Sequence, residues 1–573
     1  MKILSLLLLT SFFSAAISAQ TITWSPDVVK PKETETNSLL TFPGTDENNY
    51  YVDESVFGTV LIRRKWKDFI KTVDKTTLKV TKEYDLSGEV AEDGKKYFNV
   101  TNFVNQNRSY NFFIDINDKD VYTVYATVKK IDDPKTPAVK PIQKVDIKNE
   151  KPFQSSYSVI KHKDTKEDVA LKAASHVEIK AAFDGKTIIS AFVYESIDED
   201  YSMLNISEWD TDLKATISNN YKIPFKAYAI TEKTIFGKAE TGRGRNAYLG
   251  NFIKDNNGFV YVVVNSANPK DKAEEMRATL YQFRLSDPSY VKTYRKEWGQ
   301  EKGLRTLQMF QDQSGKVFIA SRGREGEIDN YYGYTNTAFI GSFNEQGQLQ
   351  TIFFKHLSTD MMYLFEKEKT VDKRDGVETL YIRNVLPSAE GGCFIIWERE
   401  WEKTKENNVS NGRSTTTYVH TYYNNDNLVI QYFNSANKML WQKPVYKEQK
   451  KQATLADIYT NVASGIINNN LFLFYPDDPK NADKAVDEKE VSEYNISRFG
   501  SKDLAGMFVA KFDTKGTYTR KYINWPEDRI GFALCTNSFS YIGNNECIAT
   551  VRKIKQGALS VRSEEYTFFK LKF

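Results

Sequence analysis

Apolar runs rich in β-branched and aromatic residues alternate along this chain with short turns rich in Asp, Asn and Gly. One pattern, an apolar strand end, a turn and a second apolar strand, returns eight times at a spacing of roughly 70 residues, which indicates a repeat architecture. Each turn carries Gly or Asn, because a tight hairpin needs a residue that adopts a positive φ at low cost. These turn residues are Asn49, Asn107, Gly185, Gly258, Gly315, Gly391, Asn469 and Gly543.

A second turn follows most of the first ones, so that each unit contains two hairpins. These second turns begin at Asp74, Asp210, Asp287, Asn344, Asn434 and Asp513, and the second unit has no clear one. Two hairpins make four strands, which is the composition of one propeller blade. The sequence therefore predicts an all-β fold, a single β-propeller with eight four-stranded blades, with seven blades as the alternative count. Two or three β-sandwiches in series would show similar turn spacing and form the alternative architecture.

The last unit ends at Phe573, one strand short of a complete blade. We expect the segment Thr21–Trp24 to supply the missing strand and close the ring, because closure removes the exposed edge that open sheets must protect. The repeat rhythm resembles that of WD40-like and other extracytoplasmic β-propellers of bacterial type. Trp209-Asp210 is a single instance of the dipeptide that marks WD40 blades, so the resemblance implies a fold and transfers no functional residues.

The first 19 residues have the pattern of a secretory signal peptide. Lys2 precedes the apolar run Ile3–Phe13, and small residues lead to a predicted cleavage site after Ala19. The apolar run is shorter than the ~20 residues that span a membrane, so an uncleaved anchor is the weaker alternative. We expect a periplasmic or secreted protein without a transmembrane segment, whose propeller occupies residues 20–573.

Four polar stretches interrupt the rhythm and are predicted to be insertions on the rim of the propeller. They lie near residues 132–172, 366–376, 403–417 and 476–495. Within them, Thr165–Ala174 and Asp483–Tyr494 have the composition of short helices. Insertions on one face of a propeller commonly build its binding site, and solvated surface loops are the alternative interpretation.

The charge balance argues against a nucleic-acid partner. The formal net charge is only +4, and basic and acidic residues are interspersed rather than gathered on one stripe. The four histidines lie far apart, and the chain has no Gly-x-Ser-x-Gly nucleophile motif. Asp115–Asp120 lacks the glycine and glutamate of a calcium loop, and the acidic run Asp198–Asp200 is better interpreted as a solvated turn. We therefore predict no catalytic residues, no metal site and no cofactor.

Cys535 and Cys547 flank the hairpin of the last unit in a compartment that permits disulfides. If the turn centres on Gly543, Cys535 faces residue 550 rather than Cys547, and the offset exceeds disulfide reach. A bridge requires a shifted register, so the pairing of these two thiols stays open. The other interpretation is that these two and Cys393 are small buried hydrophobes.

Two groups of residues are candidates for binding. Arginines beside glycines in two adjacent units would present four guanidinium groups to an acidic partner or a sugar acid, although such turns are also ordinary hairpin ends. The second group, Trp397, Arg399 and Trp401, alternates along one strand. These side chains project to the same side and form an aromatic platform for a glycan or protein, unless they face the core. The candidates are Arg243, Arg245, Arg322, Arg324, Trp397, Arg399 and Trp401.

A large scaffold with elaborate loops and no catalytic constellation favours a non-enzymatic role. The sequence-based expectation is therefore a protein–protein interaction scaffold at the cell envelope, with a protein partner. The alternative is a glycan-binding or carbohydrate-active propeller, a hydrolase or a lyase, because aromatic residues make up 14% of the chain and carboxylates are scattered along it.

Overall fold

The structure of the protein is a computed structural model. It describes residues 21–30, 38–60, 63–85, 98–105, 108–118, 121–130, 139–146, 150–152, 177–182, 185–196, 202–223, 234–235, 238–239, 249–266, 277–294, 306–312, 314–323, 334–410, 415–452, 461–484, 488–495, 504–543, 545–556 and 561–573.

The first four blades follow one another along the chain after the N-terminal strand β1 (Thr21–Trp24). Blade 1 comprises β2 (Ser38–Thr45), β3 (Asn49–Val60), β4 (Arg63–Asp74) and β5 (Val80–Asp85). Blade 2 comprises β6 (Phe98–Asn105), β7 (Arg108–Asp118), β8 (Val121–Lys130) and β9 (Lys140–Asp146). Blade 3 comprises β11 (Val177–Ala181), β12 (Thr187–Ser196), β13 (Ser202–Asp210) and β14 (Ala215–Ile223), with the short β10 (Glu150–Pro152) also pairing with β12. After the small hairpin β15 (Thr234–Ile235) and β16 (Lys238–Ala239), blade 4 comprises β17 (Leu249–Lys254), β18 (Phe259–Ser266), β19 (Arg277–Arg284) and β20 (Asp287–Tyr294).

The other four blades complete the ring. Blade 5 comprises β21 (Thr306–Gln311), β22 (Val317–Gly323), β24 (Thr337–Phe343) and β25 (Leu349–His356), with β23 (Tyr334–Thr335) pairing with β26 (Val377–Glu378) beside it. Blade 6 comprises β27 (Leu380–Pro387), β28 (Cys393–Ser410), β29 (Thr415–Phe433) and β30 (Met439–Val445), extended by β31 (Gln449–Gln452) and β34 (Tyr494–Asn495). Blade 7 comprises β32 (Ala463–Ile467), β33 (Asn470–Tyr475), β35 (Gly506–Phe512) and β36 (Tyr518–Asn524). Blade 8 comprises β37 (Phe532–Gly543), β38 (Glu546–Gln556), β39 (Val561–Lys572) and β1.

These sheets confirm an all-β propeller of eight four-stranded antiparallel blades. In each blade the first strand is innermost, and the innermost strands of successive blades contact one another around the ring. Between blades 5 and 6 the main contact is made by the second strand, β22, with β27. The alternative of separate β-sandwiches is wrong, because sandwiches would pair strands within closed units rather than arrange eight sheets around one axis.

The N-terminal strand closes the ring as the sequence predicts. β1 pairs antiparallel with β39 as the outermost strand of blade 8, with Thr21 opposite Lys572 and Trp24 opposite Phe569. A polar contact between blades 8 and 1 adds to the closure, because the Tyr566 hydroxyl donates to the buried Glu54 carboxylate at 2.9 Å.

Most of the long connections lie on one face of the propeller. In an antiparallel blade, the loops from the second to the third strand and from the fourth strand to the next blade emerge on the same side, which we call the long-loop face. Residues 366–376 lie here and contain helix α2 (Glu368–Arg374), which follows helix α1 (Thr359–Tyr363). Residues 403–417 lie within the extended hairpin of β28 and β29, whose tip at 411–414 is outside the described residues.

The insertion at 476–495 also lies on the long-loop face. Its described part contains a 3₁₀ helix (Pro479–Asn481) and β34, and the predicted helix over Asp483–Tyr494 is absent from that part. A second 3₁₀ helix (Glu527–Arg529) precedes blade 8. The insertion near 132–172 contains β9 and β10, and the predicted helix Thr165–Ala174 lies outside the described residues.

The turns on the opposite face share one hydrogen-bonding device. In the turn after β21, the Asp312 carboxylate accepts from the backbone N–H groups of Ser314 at 2.7 Å and Lys316 at 2.9 Å. An Asp or Asn at this position caps its own turn, which is why these residues mark the repeat. The fourth turn residue has positive φ, 83° at Gly315 but also 61° at Leu213, so the rule that Gly or Asn takes this position has exceptions.

The three cysteines are buried and unbridged in the structure. Cys535 lies opposite Thr550, as the sequence predicts. Cys547 lies opposite Tyr541, because β37 contains two irregularities in register before its end. All three thiols therefore contribute as small apolar groups in the core.

Candidate functional site

The innermost strands of blades 6, 7 and 8 surround a cavity of about 280 Å³, which we call the inner cleft. Blade 6 contributes β27, blade 7 contributes β32 and β33, and blade 8 contributes β37 and β38. The lining residues combine amides, hydroxyls and one guanidinium with aromatic and small side chains. They are Arg383, Asn384, Asn461, Val462, Ala463, Ser464, Gly465, Phe474, Thr536, Phe539, Tyr541 and Cys547.

Irregular strand pairing directs several of these side chains into the cleft. In β27 the ladder passes from Ile382 to Asn384, so Arg383 is an extra residue in a β-bulge. In β37 the ladder passes from Cys535 to Ser540, so four residues, 536–539, are left out of the pairing. Bulges locally reorient side chains and occur frequently next to active sites.

Arg383 connects the cleft to two carboxylates on the neighbouring strand β28. Its Nε donates to Glu398 Oε2, and its Nη2 donates to Glu400 Oε2 at 2.6 Å. The Glu398 side chain is fully buried, whereas those of Arg383 and Glu400 are 23% and 24% exposed. Two charge-assisted hydrogen bonds to different acceptors fix the plane of the guanidinium group.

Lys447 joins this cluster to the opposite wall of the cleft. Its buried ammonium group donates to Glu398 Oε1 at 2.6 Å and to Gln449 Oε1 at 2.9 Å. The backbone N–H of Asn461, a lining residue, donates to the same Gln449 oxygen at 3.0 Å. A continuous buried network therefore runs from Arg383 to Asn461, and it holds both polar walls in place.

The network is electrically balanced. Burial by itself would raise the pKa of Glu398, but Arg383 and Lys447 hold that pKa below its ordinary value. For Arg383, burial opposes the charged form, and Glu398 and Glu400 outweigh it, so its pKa is raised. Two cations therefore face two carboxylates, and the group carries no net charge.

Asn461 and Asn384 give the cleft further polar groups. Asn461 has a φ of 86°, in the left-handed region, and its side-chain oxygen accepts from Asn425 Nδ2 at 2.8 Å. Asn adopts this conformation more readily than most residues do. The Asn384 side chain donates to Ser464 Oγ at 3.1 Å and so links blades 6 and 7.

The aromatic platform predicted on β28 is divided between two environments. Trp397 is fully buried in the core between blades 5 and 6, and its indole N–H donates to Gln431 at 2.9 Å. Arg399 pairs with Glu366, and its guanidinium carbon lies 5.8 Å from the ring centroid of Trp401. The Trp401 indole N–H donates to the Asp426 carboxylate. Arg399 and Trp401 are therefore neighbours on the long-loop face, and none of the three lines the inner cleft.

The predicted cluster of four arginines is described only in part, since Arg243, Arg245 and Arg324 lie outside the described residues. Arg322 is in β22, where its guanidinium group stacks on the Tyr381 ring at 3.7 Å and donates to the Leu380 carbonyl. Burial lowers its pKa. Arg322 thus supports the contact between blades 5 and 6.

Among the described residues, none of the helices is long and apolar enough to cross a bilayer. The described residues also contain no group of three or more His, Cys, Asp or Glu side chains placed to hold a metal ion. Within Asp115–Asp120, residues 119 and 120 are outside the described part, and Asp115–Asp118 belongs to the end of β7.

Sequence reasoning missed the residues that build the inner cleft. The available signal was weak: Glu398 directly follows the apolar run Cys393–Trp397 and begins a charged stretch with Arg399 and Glu400. A carboxylate that is buried at such a position is expected to be paired. Its partners, Arg383 and Lys447, lie on other strands and segments, and the spacing along the chain gives no indication of them.

No family model matches this chain, and no curated protein matches it. Among solved structures it is similar to the β-propeller domain of the Trilobed protease from Pyrococcus furiosus, with 9% identity, a TM-score of 0.28, and coverage of 71% of this chain and 97% of that one. It is similar to a sucrose-6-phosphate hydrolase from Lactobacillus gasseri, with 10% identity, a TM-score of 0.25, and coverage of 95% and 92%. It is also similar to an endo-arabinase from Bacteroides thetaiotaomicron, with 11% identity, a TM-score of 0.25, and coverage of 52% and 94%.

These comparisons contradict the sequence-based expectation of a non-enzymatic scaffold, because the similar structures are enzymes or parts of enzymes. That expectation took the absence of a catalytic sequence motif as the absence of an activity. This step was wrong, because the residues of a propeller site come from several blades and need not form a motif along the chain. The similarity is too low to indicate a substrate or a reaction. The geometry of the inner cleft is therefore the basis for assigning a function.

Proposed function

We propose that this protein is a carbohydrate-active propeller that binds a neutral glycan in the inner cleft. The observation that carries this proposal is the lining itself. Amide and hydroxyl groups, from Asn384, Ser464 and Thr536, share the cavity with the aromatic rings of Phe539 and Tyr541. Sugars present hydroxyl groups at the edge of the ring and C–H groups on its faces, and this lining offers partners for both.

The charge balance of the buried network favours a neutral ligand. A site for an acidic sugar needs an uncompensated cation, whereas both charged hydrogen bonds of Arg383 already go to carboxylates. Because the network is pre-ordered, ligand binding does not require these side chains to become fixed. Pre-organisation of this kind raises affinity by lowering the entropic cost of binding.

A reaction on the bound glycan would depend on Glu400. Glycoside hydrolysis commonly uses two carboxyl groups on either side of the glycosidic bond. Glu398 is fully buried and neither glutamate lines the cleft, but Glu400 is partly exposed and pairs with the lining residue Arg383. We therefore assign hydrolysis as the reaction to test and Glu400 as the first carboxylate to replace.

Binding is tested with the purified mature protein on an array of neutral and acidic glycans, followed by calorimetry on the hits. We expect neutral glycans to bind, and replacement of Tyr541 by Ala to weaken binding at least tenfold. Gln346→Ala, on an exposed turn of blade 5, is the matched control and should bind as the wild type does. Binding restricted to acidic glycans, or unaffected by Tyr541→Ala, would overturn the assignment.

Turnover is tested by release of reducing ends from the glycans that bind. We expect Glu400→Gln to abolish release while binding persists, and Glu493→Gln, in the insertion at 476–495, to leave release unchanged. If bound glycans are never cleaved, the protein is a glycan-binding propeller, and the hydrolase assignment is wrong.

We also propose that the protein is of the WD40-like bacterial type and works in the periplasm or outside the cell. The support is the leader over residues 1–19, which lies outside the described residues, together with strand pairing that begins at Thr21. Fractionation of cells that express the full chain, followed by N-terminal sequencing, tests this. A mature protein in the periplasm or medium that starts at Gln20 is expected, and a full-length cytoplasmic protein would contradict it.

A further inference from the structure

The inner cleft is closed at the end that lies farthest from the axis of the propeller, which we call its inner end. Phe474 and Cys547 line it from β33 and β38, the second strands of blades 7 and 8, so it extends behind the innermost strands. Both side chains are buried, 1% and 2% exposed, within the hydrophobic core shared by these two blades. The cleft is therefore a niche between two blades, and a polymer chain cannot pass through its inner end.

The niche has an apolar inner end and a polar entrance. Phe474 stacks with Phe539 at a centroid distance of 4.1 Å and an interplanar angle of 20°, and the buried thiol of Cys547 lies in the same core cluster. The polar lining groups instead belong to the innermost strands of blades 6, 7 and 8 and the segment before β32. At about 280 Å³ the cavity lies just below the ~300–1,000 Å³ usual for small-molecule sites, so it suits a small ligand or a single ring.

Gly465 keeps this niche open. A β-carbon placed on Gly465 would have no heavy atom within 4 Å, and the backbone there does not have the positive φ that only glycine adopts easily. Neither strain nor crowding therefore requires glycine at this position. Any side chain here would project into open space at the cleft, so the absence of one preserves room for a ligand.

From this geometry we propose that the niche takes the terminal ring of a glycan and that this ring carries a methyl-bearing substituent, either a deoxy methyl or an acetamido methyl. The inference rests on the proposed function and narrows its ligand class. The methyl group lies against Phe474 and Cys547, and the ring hydroxyls face the polar entrance. The rest of the glycan lies outside, toward the axis around which the eight blades are arranged.

Calorimetry with two matched pairs of methyl glycosides tests the preference: galactose against 6-deoxygalactose, and glucose against N-acetylglucosamine. 6-Deoxygalactose has a methyl group where galactose has a hydroxymethyl group, and N-acetylglucosamine has an acetamido group where glucose has a hydroxyl. A difference of one methylene or one hydroxyl in an apolar pocket changes binding by roughly 10- to 200-fold. We expect the methyl-bearing sugar of at least one pair to bind at least tenfold more tightly, and the pair that responds identifies the substituent. Oligosaccharides of two and four units with the same end ring should bind within threefold of the single sugar.

The variant that tests the niche is Gly465→Ala. Because the added methyl group meets no atom of the protein, the thermal midpoint should be unchanged, while affinity for the preferred sugar should fall at least tenfold. Sugars that bind without any methyl preference, or whose affinity rises tenfold with chain length, would overturn the inference but leave glycan binding intact. If no sugar of the panel or the array binds, both the inference and the proposed function are wrong.

Discussion

Trp24 packs edge to face against Trp525, with ring centroids 5.2 Å apart and planes at 85°. The same Trp24 ring lies 5.1 Å from that of Phe569 in the adjoining strand. The outermost strand of blade 8 is thus held by a side chain as well as by its ladder of hydrogen bonds. Two ends of the chain more than 500 residues apart are joined here.

The first prediction is that Trp24→Ala weakens ring closure. The substitution removes two aromatic contacts and leaves a partial cavity. Because Trp24 is only partly buried, we expect the free energy of unfolding to fall by about 2 kcal/mol, which is less than the usual loss for a fully buried Trp. Urea denaturation followed by circular dichroism measures it. Val28→Ala, at a residue that is 37% exposed, is the control and should cost less than about 0.5 kcal/mol. Equal stability of the two variants would show that the Trp24 contacts do not hold the ring closed.

The fold was predictable because its determinants are local. A capped turn such as that at Asp312 uses residues within five positions of one another, so it leaves a mark in the sequence wherever it recurs. Ring closure was predictable because the last unit is one strand short of a blade, and the number of strands in a unit can be counted in the sequence. The long-loop face was harder to predict, because a polar composition does not distinguish a loop from helix α2 or from the extended β28–β29 hairpin.

The second prediction concerns the ammonium group at the centre of the network. Lys447→Met leaves the fully buried Glu398 without one of its two cationic partners, and breaking a buried pair in this way typically costs about 3–5 kcal/mol. Chemical denaturation should show this loss. Lys450→Met is the matched control, because its partner Glu493 is 27% exposed, and we expect it to cost less than about 1 kcal/mol.

The acid side of the stability profile provides a check on the same network. Since the pKa of Glu398 is lowered in the folded protein, its contribution to stability is present above the pKa of the unfolded chain and is lost as pH falls through the folded value. In Lys447→Met this acid-dependent loss should begin at a higher pH than in the wild type. An unchanged acid profile would mean that Lys447 does not stabilise the ionised carboxylate.

The third prediction is that the cysteines are chemically silent in the native protein. Burial raises the pKa of the Cys393 and Cys547 thiols to about 12, and burial also raises that of Cys535. Thiolates are therefore scarce at neutral pH, and the three side chains are at most 3% exposed, that of Cys547 at the end of the niche. A thiol reagent should label no cysteine before unfolding and three after it, and a reductant should leave the thermal midpoint unchanged. A midpoint that falls on reduction would instead reveal a disulfide.

The inner cleft could not be predicted in the same way as the fold. Arg383, Lys447 and Asn461 lie on three separate segments, and their convergence depends on how blades 6 and 7 pack. The bulges that turn Arg383 and Phe539 into the cleft are also not apparent from the alternation of apolar and polar residues along β27 and β37. The sequence marks this site only indirectly: Glu398 directly follows the apolar run Cys393–Trp397, and the charged residues after it give no indication that it is buried.

The fourth prediction concerns Asp477, at the start of the insertion at 476–495. Asp477 is 1% exposed and burial raises its pKa to about 7, although its Oδ1 accepts from Asn481 at 3.0 Å and from the N–H of Asp478 at 2.8 Å. Its Oδ2 has no hydrogen-bond partner. The Pro476 carbonyl beside it accepts from Gln449 at 2.7 Å, which connects this segment to the network behind the cleft.

The sign of the effect follows from the direction of the shift. In the unfolded chain an Asp carboxyl group loses its proton near pH 4, whereas in the folded protein Asp477 keeps it to about pH 7. The folded state therefore binds more protons between these values, and stability falls as pH rises from about 4 to 7. Asp477→Asn removes this dependence, because the amide is neutral throughout. The variant should be more stable than the wild type at pH 8, and its advantage should disappear at or below pH 4.

Thermal unfolding at pH 4, 6 and 8 measures the difference between the two proteins. Asp478→Asn is the control, since an Asn at that position still caps the 3₁₀ helix that Asp478 begins. It should not reproduce the pH-dependent gain. If Asp477→Asn is instead destabilised most strongly at pH 8, the ionised carboxylate stabilises the folded protein, and the raised pKa of Asp477 is wrong.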